Sequence, residues 1–233
     1  AGVKAEPHAG APDRAVVLPH GSHVEDLPGF KEGAFSIQDP ATLEAVLLLD
    51  VRPGMRVLDA CAAPGGKSVQ IGLRLDGRGT LISMDCWRDR MPSLEENLRR
   101  FKLGGVARAE LGDARRIPLS EIGGQAFDRI LLDVPCSNTG VQRRRADARW
   151  RFSAERLTQL VDTQSQILEN CAAMLAPGGR LVYSTCSLEP EENEQVVEGF
   201  LRRHAGFALA EHVGLVPPDR SMDGAFAAAI RRD

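Results

Sequence analysis

Cys136, within Pro135-Cys136-Ser137, and Cys186, within Thr185-Cys186-Ser187, are the residues of this chain best suited to nucleophilic chemistry. Upstream of both lies a glycine-rich turn, Asp59-Ala60-Cys61-Ala62-Ala63-Pro64-Gly65-Gly66-Lys67. A thiol attacks as its thiolate, and with an ordinary pKa of about 8.5 it is mostly protonated at neutral pH, so such a site needs a nearby cation or dipole. Ala62, Ala63, Gly65 and Gly66 carry little or no side chain, which lets a ligand approach the backbone closely.

Each segment follows a strand-like apolar run, so all three can meet at one edge of a parallel sheet. Residues 42–50 read as a helix ended by Arg52-Pro53-Gly54, residues 55–59 as a buried strand, and the stretch from Lys67-Ser68 through Val69, Ile71 and Leu75 as a helix. Residues 81–84 form a second strand with Asp85 at its end, and a third strand-like piece precedes Leu111-Gly112-Asp113. Residues 127–132 make a fourth strand that delivers Asp133 and Cys136. A helix over 153–174 places Leu157, Leu160, Val161, Leu168 and Cys171 on one apolar stripe. Pro177-Gly178-Gly179 closes that region, and residues 180–184 form a fifth strand delivering Cys186. Glu189-Pro190-Glu191-Glu192 reads as the opening of the next helix, whose amino end would favour a Cys186 thiolate while the acidic run opposes it.

A length of 233 residues and a hydrophobic fraction of 43% suit one enzyme-sized domain with a substantial core. No apolar run is long enough to span a bilayer, and the opening residues lack the pattern of a signal peptide, so a cytoplasmic monomer is expected. Five cysteines without a Cys-x-x-Cys pair argue against a disulfide scaffold and against zinc, and no metal is expected. The net charge of −3 does not suggest a nucleic-acid binder. Locally, however, Arg143, Arg144, Arg145, Arg149 and Arg151 surround Trp150 with only Asp147 to oppose them. That run is either a solvated loop or a phosphate clamp.

The turn at 59–67, Leu132-Asp133-Val134-Pro135-Cys136-Ser137 and Tyr183-Ser184-Thr185-Cys186-Ser187 resemble three signature motifs of the RNA 5-methylcytosine methyltransferases, the Sun/Fmu family related to the NSUN enzymes. The likeness runs from about Gly33-Ala34-Phe35-Ser36-Ile37-Gln38-Asp39 to Asp223-Gly224-Ala225-Phe226. It implies a Rossmann-like class I S-adenosylmethionine-dependent methyltransferase fold: α/β, a mostly parallel sheet with helices on both faces. It divides the chain into a leader over 1–32, read as the remnant of an N-terminal RNA-recognition region, and a catalytic domain over 33–233. Residues 220–232 resemble the family's closing hairpin strand, which would complete the fold at this end. The chain departs from the family at Thr42, at Cys86-Trp87 and at Arg145-Ala146, none of which removes a catalytic group.

The turn itself is neither a P-loop, since Cys61 stands where the first glycine belongs, nor a dinucleotide fingerprint, since Ala and Pro replace its glycines. S-adenosylmethionine then suits a turn flanked by acids. Cys61, Ala62, Ala63, Pro64, Gly65, Gly66 and Lys67 would line it, with Asp85 on the ribose hydroxyls, Asp113 near the adenine and Asp133 beside the reacting groups. The resemblance implies Cys186 as the nucleophile at carbon 6 of cytosine, Cys136 as the group that assists release, Asp133 at ring N3 and Lys67 near base or cofactor. DNA cytosine methyltransferases place the nucleophile in the Pro-Cys position instead, so DNA methylation stands as an alternative, as does a non-catalytic RNA-binding or assembly factor. The expected substrate is an unpaired or flipped-out cytidine in ribosomal or transfer RNA, with Arg143, Arg144 and Arg149 on its backbone.

Overall fold

In the central strands alternate residues are apolar toward opposite faces: Val57 and Leu58, Leu131 and Leu132, Val182 and Tyr183 are all fully buried. Strands covered on both faces need helices on both faces, and that is the architecture of this computed structural model, which describes residues 4–19, 21–215 and 222–233. The order along the chain is β1 (Glu6–Pro7), β2 (Val16–Val17), α1 (Ala41–Leu48), β3 (Arg56–Asp59), α2 (Gly66–Arg74), β4 (Thr80–Asp85), α3 (Met91–Arg100), β5 (Ala107–Leu111), β6 (Phe127–Asp133), α4 (Ala148–Arg151), α5 (Ala154–Ala172), β7 (Leu175–Thr185), α6 (Glu194–Arg203), β8 (Phe207–Leu215) and β9 (Ala225–Arg232).

β1 and β2 pair by themselves, and the other seven strands form one sheet in the order β5-β4-β3-β6-β7-β9-β8. Strands β3 to β7 run parallel to their neighbours, while β9 lies antiparallel between β7 and β8. On one face Leu58, Ile130, Leu132 and Tyr183 pack with Leu168 and Cys171 of α5 and Val197 and Phe200 of α6. On the other, Val57, Leu131, Val182 and Ala229 pack with Val46 of α1, Val69 and Ile71 of α2 and Leu94 of α3. Cys171 is thus a core residue, and burial pushes its thiol up to about 12. The order reverses between β3 and β6, so the carboxyl ends of these two strands flank the crevice where open α/β sheets bind ligands.

Two boundaries differ from the sequence reading. Pro177-Gly178-Gly179 lies inside β7, in an irregularity where Phe127↔Leu175 and Arg129↔Arg180 are successive pairs, so the breakers bulge the strand instead of preceding it. Helix α6 starts at Glu194, which leaves Glu189–Glu192 in the preceding turn. Of the expected closing strand, residues 220 and 221 lie outside the described residues, and Ala225–Arg232 forms β9.

Gly140 joins three parts of this framework. Its N–H donates to the Cys186 carbonyl at 3.0 Å, its own carbonyl accepts from Gly224 N–H at 2.9 Å, and an added Cβ would run into the Gly224 and Cys186 carbonyl oxygens. A Gly140→Ala substitution should therefore force backbone apart and cost about 2–3 kcal/mol, measured by urea unfolding.

Candidate active site

The turn after β3 is held from both sides. Ala62 N–H donates to the Met84 carbonyl at 2.9 Å and Ala63 N–H to Asp85 Oδ2 at 3.0 Å, while Asn97 of α3 donates to the Pro64 carbonyl at 2.8 Å. Gly65 adopts φ +107°, and a Cβ there would press on Leu94, so this corner accepts only glycine. Gly66 opens α2 beneath the Gln38 side chain. Cys61 packs against the core, and burial raises its thiol pKa well above the ordinary value. Asp85 takes a second N–H from Trp87 at 2.9 Å, and the Gly112 N–H donates to the Asp85 carbonyl at 3.0 Å. This brings Asp113 to the same crevice, where Arg115 at 2.7 Å and Arg116 at 3.3 Å hold its carboxylate. The Arg115 hydrogen bond depresses the Asp113 pKa. A small-residue turn facing carboxylates suits hydroxyls and a cationic sulfur better than it suits phosphates.

Asp59 closes β3 in full burial. Ser68 Oγ donates to its Oδ2 at 2.6 Å, and Oδ1 is buried without a hydrogen-bond partner among the described residues. Burial, with the Asp133 and Asp85 charges added, pushes its pKa up to about 7 against the pull of Ser68 and Lys67.

The parallel pairing Asp133↔Ser184 sets the ends of β6 and β7 side by side, and the two thiols follow from it. Cys136 Sγ and Cys186 Sγ stand 3.1 Å apart, and Cys186 Sγ is also 3.1 Å from Asn138 Oδ1. Cys136 is buried and Cys186 is half-buried. The sulfur contact with Cys186, then burial, raises the Cys136 pKa well above the ordinary thiol value, so Cys136 stays protonated and able to donate. Lys67 Nζ reaches Asp133 Oδ2 at 2.7 Å, and Ser184 Oγ donates to Asp133 Oδ1 at 3.1 Å. Burial would lower the Lys67 pKa, but the Asp133 carboxylate outweighs it and raises the value, so Lys67 is a cation near both Asp133 and Cys186.

A family model described as 16S rRNA methyltransferase RsmB/F matches residues 46–231. The chain belongs to this RsmB/F family. Its curated relatives include ribosomal RNA small subunit methyltransferase B of Vibrio cholerae, 40% identical over 241 residues that cover 100% of this chain and 54% of that one. The protein of the same name from Yersinia pseudotuberculosis is 43% identical over 211 residues, 91% of this chain and 48% of that one. The chain spans about half the length of these relatives. Among solved structures, NSun6 from Pyrococcus horikoshii with SFG superposes with a TM-score of 0.81 at 27% identity, covering 94% of this chain and 59% of that one. A methyltransferase homolog protein from the same organism gives 0.81 at 26%, covering 100% and 79%. The Rossmann-like methyltransferase fold expected from the motifs is therefore the fold of this chain.

Within this RsmB/F chain the arginine run divides in a way its sequence does not display. Arg143 and Arg144 turn inward to two buried carboxylates. Arg143 reaches Asp39 at 2.7 Å and Asp223 at 2.5 Å, and Arg144 reaches Asp39 at 2.7 Å and Asp223 at 3.2 Å. The pair thus clamps the segment before α1 to the segment before β9, with both guanidiniums still partly exposed. Burial opposes ionisation of Asp39, but N–H donors from Asp223 and Ala41 and the Arg144 and Arg143 charges lower its pKa. Arg149 is exposed and carries no ion pair among the described residues. Also among the described residues, no group of three or more His, Cys, Asp or Glu is placed to hold a metal, and no helix is long and apolar enough to cross a membrane.

Sequence reasoning missed Glu192. It is fully buried and binds both cysteine loops: Oε1 accepts from Ser137 N–H and from Gln164 Nε2, each at 2.9 Å, and Oε2 accepts from Ser187 Oγ at 2.5 Å and from Ser137 Oγ. Tyr183 OH donates to the Glu192 carbonyl at 2.6 Å. Its acidic neighbours disguised it as part of a solvated run. Asn138 had a weak signal, its place two residues after Cys136.

Removing the Glu192 carboxylate strands several buried donors, so Glu192→Ala should lower stability by about 3–5 kcal/mol in chemical denaturation. Asp59 supplies a pH test. Its folded pKa of about 7 exceeds its ordinary value of 3.8, so its contribution is full at low pH and is lost as pH rises through about 7. The unfolding free energy of wild type relative to Asp59→Asn should fall by about 3 kcal/mol between roughly pH 4 and pH 7. A pH-independent difference between the two proteins would contradict the raised value.

Proposed function

We propose that this chain methylates carbon 5 of cytidine in RNA, ribosomal or transfer, with S-adenosylmethionine as donor and the cytoplasm as its place of work. The observation that carries the reading is the pair of thiols 3.1 Å apart at the ends of adjacent strands, next to the Lys67–Asp133 pair. Membership of the RsmB/F family supports it, as does the likeness to a structure determined with SFG, an analogue of the donor.

The turn from Cys61 to Lys67 with Asp85 and Asp113 would hold S-adenosylmethionine, which when bound supplies an electrophilic methyl group. Carbon 5 of cytosine is too weak a nucleophile to accept that group unaided. The half-buried Cys186 sulfur adds as thiolate to carbon 6, and the electron pair displaced from the 5,6 double bond makes carbon 5 nucleophilic. Asp133, once protonated, donates to ring N3 and neutralises the charge that develops there, and it takes the proton back when the adduct collapses. Lys67, cationic and 2.7 Å from Asp133, orients that carboxyl group. After methylation the carbon 5 proton passes to solvent water, its electron pair re-forms the 5,6 double bond, and the carbon–sulfur bond breaks with its pair on sulfur, returning Cys186 as thiolate. Cys136, held protonated beside Cys186, then donates a hydrogen bond to the departing thiolate. This division of roles favours Cys186 as nucleophile, because the sulfur contact and burial oppose ionisation of Cys136.

Trapping tests the reading directly. With S-adenosylmethionine and RNA containing 5-fluorocytidine, the fluorine blocks loss from carbon 5 and the protein–RNA adduct persists. Wild type should form the adduct and Cys186→Ala should not, while Cys136→Ala should accumulate it even with ordinary cytidine. Loss of the adduct in Cys136→Ala alone would reverse the roles and bring DNA-type chemistry forward. No adduct with any RNA would point to a binding factor.

A further inference from the structure

Beyond Cys136 the chain runs through α4 into α5, and there Ser137, Asn138, Arg145, Arg151, Phe152 and Arg156 line a cavity of about 30 Å³. Its inner wall is shared with the thiol site, since Asn138 Oδ1 lies 3.1 Å from Cys186 Sγ. The cavity is too small for a base and suits a phosphate oxygen. Arg145, Arg149 and Arg156 carry no side-chain ion pair or hydrogen bond among the described residues, unlike Arg151, which pairs with Asp147 at 3.2 Å.

Trp150 lies between Arg149 and Arg151 in α4, 85% exposed, the most exposed large apolar side chain of the described residues. The other tryptophan, Trp87, is 60% exposed but has the Arg90 guanidinium 5.8 Å from its ring centre. Trp150 has no aromatic or cationic neighbour of that kind among the described residues. An uncovered indole on the same short helix as the unpaired Arg149 and next to the cavity-lining Arg151, on a protein whose net charge is −3, has the composition of a single-stranded nucleic-acid platform: aromatic faces stack bases and arginines follow the backbone.

We infer that Trp150 stacks a base flanking the target in single-stranded RNA, while Arg145, Arg149 and Arg156 contact the adjoining phosphates. The inference rests on the RNA substrate proposed above and assigns the place where the strand is gripped. Trp150 is a positioning residue, so its loss should act on RNA affinity and spare the thiol chemistry.

The test combines fluorescence titration with 5-fluorocytidine trapping on the full chain. A cytidine-rich single-stranded RNA should quench the tryptophan emission of wild type, and that quench should disappear in Trp150→Phe. Trp150→Ala should raise the RNA concentration needed for half-maximal adduct formation by roughly 5- to 100-fold while leaving the rate at saturating RNA unchanged, and Trp150→Phe should recover part of the loss. Arg149→Ala and Arg156→Ala should each reduce the slope of log affinity against log salt by about 0.7. An unchanged concentration dependence in Trp150→Ala, with normal adduct formation, overturns the inference and leaves Trp150 to a protein contact. Trp150-dependent quenching without any adduct keeps the platform and sinks the methyl-transfer reading. Absence of both sinks both.

Discussion

The distance between the two sulfurs depends on a carboxylate that touches neither. Cys136 and Cys186 lie on loops leaving neighbouring parallel strands, and strand pairing ends at Asp133↔Ser184, before either thiol is reached. Beyond that point Glu192 takes over, accepting from Ser137 on one loop and Ser187 on the other, with Gln164 of α5 holding it from the helix side. A buried carboxylate is costly unless each acceptor site is met, and here donors from two loops and a helix meet it. The Gly140 hydrogen bonds continue the same seam to Gly224.

Around this seam the charges are arranged in tiers of burial. Asp59, fully buried and only singly hydrogen-bonded, sits behind the turn with its pKa raised to about 7. Lys67 and Asp133, partly open to solvent, meet as an ion pair at the mouth. Asp133 has the Lys67 cation at 2.7 Å, whereas Asp59 is raised first by burial and then by the Asp133 and Asp85 charges, against the pull of Ser68 and Lys67. One strand-end acid is therefore sealed in the core and the other is open to the crevice.

The segment preceding α1 is tied to the domain in two places. Arg100 donates to the Phe30 carbonyl at 2.6 Å and the Phe35 carbonyl at 3.0 Å and lies 4.1 Å from the centre of the Phe30 ring. Asp39 receives Arg143 and Arg144 from the loop beyond Cys136. Residues 30–39 thus brace both the cofactor-side helix α3 and the arginine loop, so the structure joins them closely to the domain whose start the sequence motifs put at residue 33.

Period and punctuation in the sequence determined the α/β class, the five central parallel strands and the strand-end positions of Asp85, Asp133, Cys136 and Cys186. These are local properties: a buried parallel strand must be apolar on both faces, and the residue after it must turn. The same information disclosed the glycine turn, because Gly65 is demanded by a backbone angle. Partner choice was decided only in three dimensions. Arg143 and Arg144 look like five-arginine solvent charge until residues 39 and 223, remote in the chain, arrive with buried carboxylates. Glu192 looks like one more residue of an acidic run until Ser137, 55 positions away, closes on it. Burial and ion pairing depend on which distant segments pack together, and spacing along the chain carries little of that information.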